Sequence, residues 1–211
     1  VDDFFYYDGF VFELYPKITE RMLSYHLAIL VDGAYLGEYN PSLKEKLYGF
    51  VGAYAKPVIY LYPEEETEVS VQVGFTDGGE LTCTYPEYND GWNVTAMPDG
   101  TLFDADENEY YCLYWEGEGK AALDMSRGWC VSADETADFL REKLLYIGLT
   151  PREANEFIIY WLPQMQKNPY NIITFHTEDY SAAVPLTVNP KPDSQIRVFM
   201  TFRASDEFIA I

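Results

Sequence analysis

The chain has 211 residues, 48% of them hydrophobic, and 14 Lys and Arg against 35 Asp and Glu give a net charge of −21. This length allows one large domain or two small ones, and the apolar content is sufficient for a packed core. The acidity argues against nucleic acid and anionic lipid as partners, because both attract Lys and Arg rather than carboxylates. It favours cationic partners instead.

Membrane insertion is not expected, because no apolar run approaches the roughly 18 residues that a spanning helix needs. The chain begins at Val1 without a visible signal peptide, which leaves a removed leader open. Cys83, Cys112 and Cys130 occur without a C-x-x-C motif, which argues against a zinc site. Their odd number leaves open either one disulfide or three thiols.

The N-terminal segment, residues 1–55, is expected to be an aromatic arm followed by two helices. Apolar residues recur at helical spacing over residues 18–29, and the Asp32-Gly33 pair should end that pattern. A second apolar stripe over residues 43–54 predicts another helix, and Pro57 should force the chain out of it.

Residues 56–128 are expected to form an antiparallel β region. The apolar run 58–62 predicts a strand buried on both faces, and residues 67–75 alternate with the period of a half-buried strand. Further short runs with Gly, Pro and Asp turn signals predict an antiparallel meander or a small sandwich. Residues 117–128 are polar and contain glycine, which predicts a connecting loop.

Residues 129–211 predict a pair of helices followed by strands. Gly148 suits the left-handed end of the first helix. Thr150 and Glu153 have the spacing of a capping box at the start of the second helix, and Pro163 should end it. The three strands that follow are expected at residues 172–176, 184–188 and 196–202.

The predicted fold class is therefore α+β. An antiparallel β meander or small sandwich (56–128) and a lobe of helix pair and strands (129–211) follow the N-terminal helical segment (1–55). We expect two lobes that share an extensive interface.

Four distinctive motifs lie in the later part of the chain, at Lys56–Pro63, Tyr114–Gly117, Asn155–Pro163 and Ile196–Met200. With these motifs the chain resembles a group of uncharacterised bacterial proteins from Gram-positive anaerobes, some of which carry export signals. The resemblance covers about residues 56–202. It implies a shared fold and an extracellular or cell-envelope location, with the cytoplasm as the alternative, and it carries over no catalytic residue.

A weak metal candidate is formed by Asp104, Asp106 and Asn108, which place oxygens at the first, third and fifth positions of a calcium-loop pattern. The pattern then fails, because Glu109 stands in place of the turn glycine and Trp115 in place of the bidentate glutamate. A hairpin turn that uses Asx hydrogen bonds is the favoured interpretation.

Candidate binding residues cluster first at the end of a predicted strand, where Trp115 stands beside Glu116 and Glu118. Glycosidases use such a carboxylate pair, one of them next to an apolar group. Glutamates at i and i+2 of one strand lie on the same side, however, which is a poor arrangement for flanking a substrate bond. We therefore treat the three as binding candidates and predict no catalytic residue.

Three further candidates are isolated polar or aromatic residues. Tyr160 lies on the second helix and is either a core residue or a platform for a sugar. His176 needs a partner to act as a base, and otherwise packs or lies on the surface. Arg197 at a strand centre predicts an ion pair with a carboxylate of the chain, or with a ligand that carries one.

The sequence thus contains no catalytic constellation and predicts no cofactor. We expect a non-catalytic exported or cell-surface module that binds a protein or a glycan through an exposed aromatic patch. A carboxylate-based hydrolase would instead need a deep pocket with two acids about 5–9.5 Å apart. A structural accessory domain of a larger chain would have neither feature.

Overall fold

A computed structural model describes residues 27–38, 47–76, 78–124 and 126–211 and has the α+β fold that the sequence predicts. In chain order the strands of these ranges are β1 (Leu27–Glu38), β2 (Leu47–Tyr62), β3 (Thr67–Val73), β4 (Glu80–Tyr85), β5 (Trp92–Ala96), β6 (Leu102–Phe103), β7 (Glu109–Tyr110), β8 (Leu113–Asp124), β9 (Trp129–Ser132), β10 (Tyr170–Phe175), β11 (Leu186–Asn189) and β12 (Ser194–Ser205). The helices of these ranges are α1 (Thr136–Ile147), α2 (Pro151–Met165) and α3 (Thr177–Ala183).

The strands form two sheets. The larger one has seven strands in the order β4-β8-β2-β1-β12-β10-β9, and the smaller has five in the order β11-β3-β5-β6-β7. The strand pairs of both sheets are antiparallel, as expected, except that β1 and β12 are parallel. The larger sheet takes strands from all three predicted segments, and the division at residues 56 and 129 stays a prediction.

The larger sheet is covered on both sides. On one side, here called the helix face, Val198 and Phe202 of β12 pack in one cluster with Leu140 of α1 and Trp161 of α2. On the other side, the inter-sheet face, Phe199 packs with residues of the smaller sheet and with α3. Alternate residues of β12 therefore enter two different cores, as the period of a strand requires.

The helix predicted over residues 43–54 is wrong wherever the structure describes it, because Leu47–Tyr62 is one strand. Three of its apolar residues, Phe50, Val51 and Tyr54, are aromatic or β-branched, and Gly49 and Gly52 lie among them. This composition favours a strand once a partner such as β8 is present. The predicted arm, and all but the last three residues of the helix predicted over residues 18–29, lie outside the described residues. Residues 27–29 and Asp32-Gly33 belong to β1, so the helix does not end at Asp32-Gly33 as expected.

The connection predicted at residues 117–128 is wrong over residues 117–124, because β8 continues to Asp124, and residues 126–128 lie between β8 and β9. Gly117 and Gly119, which suggested a loop, make room for aromatic rings instead. A Cβ at Gly119 would stand 2.9 Å from a ring carbon of Tyr54, so the glycine lets that ring pack against the strand.

The helix pair is confirmed with its punctuation. Gly148 ends α1 with a φ of 115°, and the Thr150 side chain and the Glu153 carboxylate form both hydrogen bonds of the capping box. Pro163 does not end α2, however, but lies inside its last turn. The helix α3 was not predicted. No helix of the described ranges is long and apolar enough to cross a membrane.

Candidate functional site

The structure divides the predicted binding residues between the two sides of the larger sheet. Trp115 is fully buried in the inter-sheet core. Glu116 is half-buried and Glu118 is exposed, on the opposite side of β8 from Trp115. Tyr160 packs against the helix-face cluster. Glu116 and Tyr160 are thus brought to one side, and Trp115 is separated from both.

Tyr114 connects the candidates on the helix face. Burial raises the pKa of its phenol, and a hydrogen bond to Glu116 raises the pKa further. Tyr160 of α2 lies close enough that its ionisation would raise this pKa as well. Glu116 and Tyr114 of β8 and Tyr160 of α2 therefore form one polar and aromatic row.

Lys56 extends this row through an unusual backbone. Its φ is 59°, at a bulge where the pairing of β2 with β8 shifts register between Tyr54 and Val58. A non-glycine residue in the left-handed region costs on the order of 1 kcal/mol. The bulge directs the ammonium group to α2, where Nζ donates to the carbonyl oxygen of Glu156 at 3.2 Å and lies 5.1 Å from the ring centre of Tyr160.

Two tyrosines of β2 bind two glutamates of α2. The Tyr60 hydroxyl donates to Oε2 of Glu156 at 2.6 Å, and the Tyr62 hydroxyl donates to Oε1 of Glu153 at 2.5 Å. Burial, followed by these hydrogen bonds, raises the pKa of both phenols. The same Glu153 carboxylate accepts the backbone N–H of Thr150 at 2.6 Å, so one buried side chain caps the helix and anchors it to the sheet.

The thiol next to this cluster is a poor nucleophile. Cys112 is buried, and burial together with the charge of Glu156 raises the pKa of its thiol to about 12. The thiolate form, which is the reactive one, is therefore strongly disfavoured at neutral pH. All three cysteines of the chain are thiols.

An exposed tyrosine surface lies at the end of β4 and β7. The Tyr85 and Tyr110 rings meet edge to face with their centres 5.5 Å apart. The ring centre of the next residue, Tyr111, lies 5.6 Å from Cζ of the Arg152 guanidinium. Tyr85 is 64% exposed and Tyr111 51% exposed, and Arg152 is exposed as well. We call Tyr85, Tyr110, Tyr111 and Arg152 the tyrosine band.

His176 has a hydroxyl and a carboxylate nearby, as a catalytic base would, but a substrate cannot reach it. Its Nε2 lies 2.9 Å from the Thr201 hydroxyl, and its Nδ1 lies 3.8 Å from Oδ2 of Asp179, beyond hydrogen-bond distance. Burial lowers the pKa of the imidazole to about 4, although Asp179 and Asp124 act in the opposite direction. Since Thr201 is fully buried, it cannot reach a substrate, and the histidine is a packed core residue.

Arg197 is buried on the inter-sheet face and contacts α3 and the residue that follows it. A guanidinium N–H donates to the Val184 carbonyl at 2.6 Å, and the group lies 4.7 Å from the ring centre of Tyr180. These contacts tie β12 to α3. The ion pair with a carboxylate that the sequence suggests stays a prediction.

The calcium-loop candidate folds as a turn. Oδ1 of Asp104 accepts the backbone N–H groups of Asp106 and Asn108, both at 2.9 Å, and Oδ2 accepts the Tyr110 hydroxyl at 2.8 Å. Hydrogen bonds from Asn108 are the main reason that the pKa of Asp104 falls to about 2. Among the described residues, no group of three or more His, Cys, Asp and Glu side chains could hold a metal ion.

Addition of calcium is expected to leave the melting temperature unchanged, because both oxygens of Asp104 already accept hydrogen bonds within the turn. Thermal unfolding with and without calcium, in chelator-treated buffer, measures this. A rise in Tm with calcium that disappears in Asp104→Asn would contradict the expectation.

Several residues at the helix face were not among the sequence candidates. They are Lys56, Tyr60, Tyr62, Glu153 and Glu156, and their side chains join β2 to α2 or cap α2. A signal for most of them was present, since Lys56–Pro63 and Asn155–Pro163 are two of the motifs that carry the resemblance. The structure shows that these two motifs touch.

Comparison with known proteins gives one relative and no annotated function. The chain is 46% identical over 67 residues to a protein of Butyrivibrio fibrisolvens described as "Uncharacterized protein in bglA 3'region". The match covers 30% of this chain and 66% of the relative, slightly less than two thirds of its length. No protein-family model and no solved structure matches. The chain is thus similar to an uncharacterised bacterial protein of a Gram-positive anaerobe, in agreement with the resemblance that its motifs indicate.

Proposed function

We propose that the protein is a non-catalytic module that binds a protein or a glycan through the tyrosine band. The observation that carries the proposal is the exposure of Tyr85, which packs on Tyr110, and of Tyr111, which lies next to Arg152. Tyrosine and arginine are the residue types that dominate binding energy in interfaces, because they offer large, rigid contact area with polar groups at the tip. In a chain of net charge −21 this aromatic surface stands out from an otherwise carboxylate-rich exterior.

The geometry around the band supports binding rather than chemistry. Cys112, which follows Tyr111 directly, is buried with a raised thiol pKa. The one imidazole with a hydroxyl and a carboxylate nearby, His176, is closed off in the core in the part of the chain that the structure describes. The glutamates Glu116 and Glu118 lie on the same side of one strand, which is a poor arrangement for flanking a substrate bond.

The band should lose its ligand when the exposed rings are removed. Glycan arrays and peptide display with the whole chain identify a ligand, and biolayer interferometry then measures its affinity for variants. Tyr85→Ala and Tyr111→Ala are each expected to weaken binding by roughly 30-fold, the effect of an interface hot spot of about 2 kcal/mol. Both side chains are exposed, so the fold should be retained.

Phe208→Ala is the matched control, because Phe208 is as exposed as Tyr85 but packs against Tyr170 of β10 instead. The proposal would be contradicted if Phe208→Ala lowered the affinity as much as the two tyrosine variants, or if none of the three variants lowered it.

We also propose that the module acts outside the cytoplasm or in the cell envelope. The resemblance to proteins with export signals motivates this location. Immunoblotting of culture medium, cell-wall and cytosolic fractions of the native host tests it, and recovery in the cytosol alone would overturn it.

A further inference from the structure

The strand β4 forms an edge of the larger sheet. Within the described part of the chain it is hydrogen-bonded to β8 alone. Glu80, Thr82, Cys83 and Tyr85 of this six-residue strand are exposed. An edge strand presents backbone N–H and C=O groups on its outer side, and neither Lys nor Pro interrupts this one. Its pairing with β8 is regular apart from a bulge between Leu81 and Cys83.

The pairing of β4 with β8 fixes which side chains border this edge on the helix face. Glu80 is opposite Glu118, Cys83 is opposite Glu116, and Tyr85 is opposite Tyr114. Residues directly opposite each other in an antiparallel pair share a face. The helix face next to the edge therefore carries carboxylates at one end and tyrosines at the other.

We propose that β4 takes up an extended peptide segment of a partner protein, with Lys or Arg at alternate positions, as an additional strand of the sheet. The inference rests on the proposed function, because Tyr85 belongs both to β4 and to the tyrosine band. Backbone hydrogen bonds would supply affinity, and side-chain neighbours would supply specificity. Cationic side chains on the helix face would lie beside Glu80 and Tyr85, which attract a cation as a carboxylate and as an aromatic ring.

Charge also selects among possible occupants of the edge. A second copy of the chain would bring another net charge of −21 and a second row of glutamates to the same edge. Like charges of this size oppose association. A cationic segment instead neutralises the carboxylates that border β4.

The probe for this inference is a synthetic peptide of alternating lysine and valine, seven residues long, with blocked ends. A control peptide of the same sequence is N-methylated at two consecutive central residues, which blocks hydrogen bonding on both of its edges but keeps its charge. Fluorescence anisotropy with the full chain in reducing buffer measures both affinities. The control should bind about tenfold more weakly, because it loses backbone hydrogen bonds.

Two matched variants separate pairing from general charge. Thr82→Lys places a cation on β4, and Thr187→Lys places one on β11, the exposed edge strand of the smaller sheet. Thr82→Lys should weaken peptide binding about tenfold, and Thr187→Lys should leave it unchanged. Binding that is equal for the N-methylated peptide, that falls equally in both variants, or that is absent overturns the inference.

These outcomes are distinguishable from a failure of the proposed function. If the peptide fails these tests while a glycan or a folded protein binds through Tyr85 and Tyr111, the band stays in place and the strand-pairing inference is removed. Ligands that all bind independently of Tyr85 and Tyr111 remove the proposed function.

Discussion

Replacement of Glu153 by alanine is expected to lower the free energy of unfolding by about 3 kcal/mol, from a lost helix cap and a lost hydrogen bond to a carboxylate. The Glu153 side chain is 2% exposed and accepts the Thr150 N–H and the Tyr62 hydroxyl. Its removal leaves both donors without their acceptor next to a packed core. Urea unfolding followed by tryptophan fluorescence measures the change.

A double-mutant cycle separates the two roles of Glu153. Tyr62→Phe removes only the donor from β2, so the coupling between the two changes should be about 1–2 kcal/mol. Glu142→Ala is the control, because Glu142 is an exposed glutamate of α1 and should contribute less than about 0.5 kcal/mol. A cost at Glu153 no larger than at Glu142, or additive effects at Glu153 and Tyr62, would contradict the anchoring role.

Acidification is expected to destabilise the protein through His176. The pKa of this imidazole is about 4 in the folded state, against 6.5 for an ordinary histidine, chiefly because the ring is buried. Above pH 6.5 the imidazole is neutral in both the folded and the unfolded protein, and the folded state has its full stability. Below pH 6.5 the unfolded protein binds a proton at this residue and the folded protein does not, so the free energy of unfolding falls. This loss extends from pH 6.5 to about 4, and at about 1.4 kcal/mol per pH unit it amounts to about 3 kcal/mol.

The measurement compares the pH dependence of unfolding for the wild type and for His176→Gln. Carboxylates also titrate in this range, so the informative quantity is the difference between the two curves. The wild type should lose about 3 kcal/mol more than the variant between pH 7 and pH 4. Parallel curves would show that the imidazole does not titrate as its burial requires.

The sequence predicts the local elements that carry their own punctuation. Gly148, Thr150 and Glu153 define the junction of the helix pair because caps and turns act within a few residues. The alternation of Val69 and Val71 likewise marks a strand that is buried on one side. Such signals do not depend on the rest of the chain.

The remaining elements depend on distant partners and could not be derived from local pattern. Residues 47–54 have a helix-like spacing of apolar side chains, but pairing with β8 decides their structure. The candidate site has the same limit. Trp115 and Glu116 are neighbours in sequence on opposite sides of a sheet, whereas Tyr60 and Glu156 meet across 96 residues.

The parallel pairing of β1 with β12 has a consequence for how the chain folds. Leu27 pairs with Ser194, and β12 lies between β1 and β10 in the larger sheet. The sheet therefore cannot be completed until β12 has been synthesised, and such a high contact order makes folding slow. Until then the side of β1 that pairs with β12 has no partner from that strand, and an unpaired strand edge is prone to wrong pairing and aggregation.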